Sequence, residues 1–165
     1  MPSRLEGKGA VVGKTAPNFV LPDEQGKVVD FYQALTTGPA LLVFYPKDFT
    51  LVCTKQLCNY SDNMSAFSEL GIQIFGISQN TASNHTKFSE RYNFPFSLLA
   101  DEGHKTALTY GCTSLFTFGG TTRAVFIVSA KKVILYRYIE PTILTRRSAD
   151  ELLLILEDLK KHKLI

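Results

Sequence analysis

Ala40-Leu41-Leu42-Val43-Phe44-Tyr45 and Ile72-Gln73-Ile74-Phe75-Gly76-Ile77 are two short, nearly unbroken apolar runs. Runs of this kind read as strands covered on both faces. Between them, Cys53 to Leu70 is long enough for a crossover helix, which parallel neighbours require. The two runs and the segment joining them predict a β-α-β unit.

Working outward, Phe19 to Leu21 and Val28 to Phe31 flank Pro22-Asp23-Glu24-Gln25-Gly26-Lys27 and predict a hairpin at one end of the sheet. Ala82 to Tyr92 reads as a helix that Asn93-Phe94-Pro95 ends, because a proline disfavours helix in the residue before it. Phe96 to Leu99 follows as a short strand. Ala124 to Val128 and Val133 to Tyr138 bracket the polar turn Ser129-Ala130-Lys131-Lys132, an antiparallel pair. Ser148 with Glu151 three residues on forms a capping box, and Leu152, Leu156 and Leu159 line one face of the helix it opens. This order predicts an α/β, thioredoxin-like fold: a central mixed β-sheet flanked by helices, with an N-terminal β-hairpin, in a single domain over residues 1–165.

Composition narrows the function. With 45% hydrophobic and 20% charged residues the chain is ordinary globular material, and no apolar run approaches the roughly 20 residues of a membrane helix. Lys and Arg number 18 against 15 Asp and Glu, with Lys160, Lys161 and Lys163 gathered at the end of the last helix, where they answer its dipole. No basic stripe interleaved with aromatics is present, so no nucleic-acid partner is expected. Met1 to Ala10 holds no apolar run of the secretory kind. That absence predicts a reducing cytoplasmic setting, in which the three cysteines read as reactive, metal-bound or singly buried rather than as a disulfide scaffold. His85, His104 and His162 lie apart without ligand spacing, so no metal site is expected, and the Cys-x-x-Cys of an ordinary dithiol oxidoreductase is absent.

The chemistry concentrates in Phe44-Tyr45-Pro46-Lys47-Asp48-Phe49-Thr50-Leu51-Val52-Cys53-Thr54-Lys55-Gln56-Leu57-Cys58, which leaves a strand and enters a helix. Cys53 falls near a helix N-terminus, where free N–H groups and the positive dipole end favour an anion, so its thiol ionises more easily than a free one. Thr50 places a hydroxyl on the approach turn, able to donate to the thiolate or to a substrate oxygen. Pro46 fixes the entry to the loop. Cys58 lies five residues on; in a continuous helix the two Cα atoms stand roughly 8.6 Å apart. A disulfide tolerates at most about 7 Å, so joining them would require the first turns to unwind. Cys58 packed inertly on the inner face is the competing reading.

Pro46-x-x-x-Thr50-x-x-Cys53 resembles the active-site motif of the peroxiredoxins, and Arg123, before Ala124 to Val128, is similar to the family's distant arginine. Val12-Gly13-Lys14-Thr15-Ala16-Pro17-Asn18-Phe19 resembles the family's opening, and Gly76-Ile77-Ser78 through Phe96-Ser97-Leu98-Leu99-Ala100-Asp101 its middle. The second cysteine five positions after the first is similar to the peroxiredoxin Q, or bacterioferritin comigratory protein, subfamily. That subfamily usually carries Pro-Gly where this chain has Leu51-Val52, which look more like other peroxiredoxin branches.

The resemblance implies a peroxidase that reduces hydrogen peroxide and organic hydroperoxides, with Cys53 attacking one oxygen and becoming a sulfenic acid. It implies Arg123 as the cation for the thiolate and the attacked oxygen, Thr50 as a further donor, Pro46 as the shield of the pocket and Gln56 as the group that orients Arg123. Cys58 is implied as the intramolecular resolving thiol, with thioredoxin or a related dithiol as reductant. Cys112 matches no family motif and reads as a packed thiol, with a resolving role as the alternative. No metal, flavin or haem is implied as a cofactor. The chain is expected as a monomer, or as a dimer if an aromatic near Phe49 is exposed. Two other readings stay open: a redox-sensing module that relays oxidation to a client protein, and a one-cysteine peroxidase that relies on an external thiol. All of them require a sulfur that a hydroperoxide can reach.

Overall fold

The computed structural model describes residues 9–165, and for Phe116 the backbone alone. Met1 to Lys8, most of the stretch read above for a secretory signal, lie outside the described residues. The hairpin forms as expected: β1 (Val20–Pro22) pairs antiparallel with β2 (Val28–Asp30), with Val20 opposite Asp30. Asp30 ends the second strand by capping a one-turn helix, α1 (Phe31–Ala34), its side chain accepting from the N–H groups of Tyr32 and Gln33.

The central sheet is built from β3 (Ala40–Phe44), β4 (Gln73–Ser78), β5 (Ser97–Ala100), β6 (Ala124–Val128) and β7 (Ile134–Ile139), in the spatial order β5-β4-β3-β6-β7. β3, β4 and β5 run parallel; β6 and β7 run antiparallel to their neighbours. Because side chains alternate along a strand, β3 feeds two cores. Ala40, Leu42 and Phe44 face Phe19, Phe31, Leu35, Ala107 and Tyr110. Leu41, Val43 and Tyr45 face Leu57, Tyr60, Phe67, Phe88, Leu152 and Leu156. Helices cover both faces, which is the thioredoxin-like arrangement expected.

The crossover differs from the single helix expected over Cys53 to Leu70. It comprises α2 (Leu51–Asp62) and α3 (Met64–Glu69), separated at Asn63, whose φ of −108° and ψ of 14° leave the helical region. The Asn63 amide donates to the Asn59 carbonyl at 2.8 Å, so the side chain rather than a continuing helix satisfies that group. Next come α4 (Ala82–Tyr92), a short α5 (Lys105–Thr109) and the C-terminal α6 (Ala149–Lys161). At the start of α6 only half of the expected capping box forms: Ser148 Oγ accepts from the Glu151 N–H at 3.2 Å, while the Glu151 carboxylate turns to Arg147 at 3.0 Å. Among the described residues no helix is long and apolar enough to cross a membrane.

Candidate active site

The loop from Tyr45 to Thr50 carries the chain from the carboxyl end of β3 into α2. Phe49 takes a left-handed conformation with φ of +63°, and its ring lies 4.8 Å from that of Phe88. Half of its surface remains exposed. Thr50 is the N-cap of α2, its carbonyl accepting from the Thr54 N–H at 2.9 Å, so Cys53 sits in the first turn as expected. The hydroxyl differs from expectation. Thr50 Oγ1 donates its only proton to the Lys47 carbonyl at 3.0 Å and does not cap the helix. It is therefore an acceptor toward the site and no donor to the sulfur. With no side chain capping them, the first-turn N–H groups stay available to an anion.

Arg123 enters from the start of β6 and is 2% exposed. Its Nη2 donates to Cys53 Sγ at 3.2 Å and to the Ile143 carbonyl at 3.4 Å, and its Nη1 donates to Gln56 Oε1 at 2.6 Å. Seventy residues of sequence separate the guanidinium from the sulfur it touches. Among the described residues no carboxylate forms an ion pair with Arg123. A buried cation without a counter-ion is costly, and the sulfur is the group in contact that can supply the negative charge.

Gln56, fully buried, fixes the guanidinium and is itself fixed: its Nε2 donates to the Tyr60 hydroxyl at 2.9 Å, which donates to the Arg147 carbonyl at 2.6 Å. Burial keeps the Tyr60 phenol protonated, its pKa pushed well above the usual tyrosine range. The sequence reading found Gln56 but missed Tyr60. The signal was present, because Cys53, Gln56, Leu57 and Tyr60 recur at helical spacing on the buried face of α2.

A cavity of about 450 Å³ opens beside this group, lined among others by Pro46, Thr50, Val52, Arg123, Ile143 and Leu144. Four of the expected site residues therefore meet: Pro46 and Thr50 on the wall, Arg123 both on the wall and against the sulfur, and Gln56 behind it. Cys53 itself is 1% exposed and is not on the wall. The open sulfur expected from the sequence is not seen: Cys53 is buried, and the cavity meets it through Arg123, which lines the wall and donates to the sulfur.

Cys58 lies half-buried on the same unbroken helix. Burial, and then the Asp62 carboxylate one turn on, push its thiol up from the ordinary value. Cys112 is fully buried in the other core, its Sγ 3.4 Å from the Ala107 carbonyl. Burial, and then Asp101, hold it far above the usual thiol range.

Residues 12–137 match the model of the AhpC/TSA family. The chain belongs to that family. Peroxiredoxin Q of wheat, Triticum aestivum, is 37% identical over 142 residues, 82% of this chain and 64% of the wheat protein. A peroxiredoxin bcp of Coxiella burnetii is 35% identical over 128 residues, 74% of this chain and 84% of its own length. The crystal structure of peroxidoxin BcpB from Mycobacterium tuberculosis superposes with a TM-score of 0.82 at 27% identity, covering 91% of this chain and 98% of that one. The homology is thus to the peroxiredoxin Q and bcp proteins, as the paired cysteines suggested. The chain spans 64% of the wheat protein and 58% of the rice protein. The expected cytoplasmic setting is corrected by these relatives: the proteins of wheat, rice, Sedum lineare and Arabidopsis thaliana are chloroplastic. The lack of a secretory run in this stretch does not choose a compartment.

Proposed function

We propose that this peroxiredoxin is a thiol-dependent peroxidase that reduces hydrogen peroxide and organic hydroperoxides at Cys53. The observation that carries the reading is the 3.2 Å contact between Arg123 Nη2 and Cys53 Sγ at the edge of a cavity with an acceptor hydroxyl at Thr50. A hydroperoxide entering there meets a cation for its attacked oxygen, free first-turn N–H groups, and a lone pair on Thr50 for its own O–H. The Cys53 thiolate attacks the oxygen, a sulfur–oxygen bond forms and the O–O bond breaks. The departing oxygen takes a proton and leaves as water or alcohol, and Cys53 is left as a sulfenic acid. Donors fixed before the reaction stabilise the charge as it moves from sulfur to the departing oxygen.

Cys58 is the resolving thiol in this reading. Its thiolate attacks the Cys53 sulfenic acid, a disulfide forms, and hydroxide leaves as water after taking a proton. An external dithiol of the thioredoxin kind then reduces the disulfide and is itself oxidised. Both cysteines lie within α2, so the helix unwinds between them for the sulfurs to meet. Cys58→Ser tests the step: steady-state peroxide consumption with thioredoxin and its reductase is expected to collapse while the first oxidation of Cys53 keeps its rate. Sustained turnover of Cys58→Ser would establish a one-cysteine enzyme, and a wild-type chain that oxidises once and stops would establish a sensor.

A further inference from the structure

Beneath the reactive loop lies a buried polar cluster that the chemistry above does not use. Asp48, the middle residue of the loop, is 4% exposed, and His85 on α4 is fully buried. Asp48 Oδ2 lies 2.6 Å from His85 Nδ1, and Asp48 Oδ1 accepts from the Tyr45 hydroxyl at 2.6 Å. The backbone N–H of Asp48 donates to Asn80 Oδ1 at 2.9 Å, which also accepts from Ser78 Oγ at 2.9 Å. His85 Nε2 lies 3.0 Å from the Leu99 carbonyl. A carbonyl only accepts, so Nε2 carries a proton, and a single further proton lies between Nδ1 and the carboxylate. The end of β3, the end of β4, α4 and β5 thus converge on one loop residue.

We propose that Asp48 and His85 are a positioning pair that holds the Pro46–Thr50 loop, and with it the first turn of α2, in the reactive geometry; the proposal rests on the peroxidase reading for its kinetic consequence. Three hydrogen bonds on one side chain and its own amide are more than a surface loop needs to stay folded. They are placed where displacement would move the Thr50 lone pair and the Cys53 sulfur together. The Tyr45 link reinforces this, because its phenol is raised by burial first, then by Asp48, and in smaller part by charge on Cys53, which puts the hydroxyl within electrostatic reach of both. Misplacement by about 1 Å of groups that act by geometry costs on the order of a hundredfold in rate.

The test compares Asp48→Ala, Asp48→Asn and Tyr45→Phe by amide hydrogen exchange over residues 46–54, by thermal unfolding, and by the single-turnover rate of Cys53 with hydrogen peroxide. Asparagine can accept from Tyr45 with its oxygen and donate to Nδ1 of a neutral His85 with its amide, keeping the clamp without the carboxylate. The expected result is faster exchange confined to the loop and first turn in Asp48→Ala, with a peroxide rate lower by about a hundredfold. Asp48→Asn recovers most of the protection and most of the rate. Tyr45→Phe, which removes one hydroxyl and keeps the pair, loosens the loop about fivefold and remains informative if Asp48→Ala does not fold. Loop exchange unchanged in both Asp48→Ala and Tyr45→Phe would overturn the proposal, as would protection lost evenly across the chain, or an asparagine variant as impaired as alanine. A wild-type chain inert toward peroxide would instead overturn the peroxidase reading, and loop exchange would still decide the clamp.

Discussion

Helices α2 and α6 both start from a hydroxyl residue in extended conformation, Thr50 at φ −74°, ψ 151° and Ser148 at φ −77°, ψ 161°. From there they diverge. Ser148 turns its oxygen onto the Glu151 N–H, and Asp150 and Glu151 place negative charge against the positive end of the helix. Thr50 turns away to Lys47, no acidic residue follows in the first turn of α2, and a cysteine in contact with an arginine takes the place where a carboxylate would sit. The start of α6 is arranged for helix stability. The start of α2 forgoes a cap worth about 1 kcal/mol and leaves its donors open to an anion.

Four changes break or sharpen that contrast. Arg123→Met removes the cation held against the sulfur at the start of α2. It is expected to slow the single-turnover oxidation of Cys53 by about 10²- to 10³-fold, the usual cost of losing one preorganised donor; an unchanged rate would separate the guanidinium from the chemistry. Ser148→Ala deletes the cap of α6 and is expected to lower stability in urea by about 1 kcal/mol, leaving the peroxide rate untouched. Leu51→Glu gives α2 the acidic first turn of α6. Melting experiments should find the helix gaining about 0.3–1 kcal/mol, and stopped-flow kinetics a peroxide reaction roughly twofold to fivefold slower, because the same charge repels the thiolate and the peroxide's departing oxygen. The smallest effect is reserved for the far end of α2. Burial and Asp62 hold Cys58 as the thiol, so its thiolate fraction at neutral pH is below that of an ordinary cysteine and disulfide formation is expected to quicken as pH rises. Asp62→Asn removes one of the two causes and should move that rise to lower pH in a rate profile followed by mass spectrometry.

What could be read in the sequence was whatever local pattern determines. Ala40 to Tyr45 is apolar at every position because it is covered on both faces, and α4 runs from Ala82 to Tyr92 as its flanking residues announce. The break at Asn63 could not be read, since neither glycine nor proline marks it and it depends on the Asn63 side chain bonding back to Asn59. α1 and α5 have four and five residues, too few for a helical period to repeat. At the site, Pro46, Thr50, Cys53 and Gln56 share one stretch and came into view together, and Arg123 followed from family resemblance. The direction of the Thr50 hydroxyl is a rotamer set by the Lys47 carbonyl, which no spacing encodes. His85 was weighed only as a metal ligand, because its partner Asp48 is 37 residues away and no short motif joins them.

The partition of the two cores also bears on how the chain handles sulfur. Cys53 and Cys112 are packed on opposite sides of a hydrogen-bonded sheet, in separate apolar layers. Five hydrogen-bonded strands insulate one from the other, and no sliding of loops brings them together without pulling strands apart. On the proposed mechanism, oxidation that begins at Cys53 is therefore confined to the thiols of α2. With Cys53 and Cys58 paired as proposed, titration of the folded, oxidised chain is expected to return one intact sulfhydryl, and only a chain that has first come undone can scramble all three.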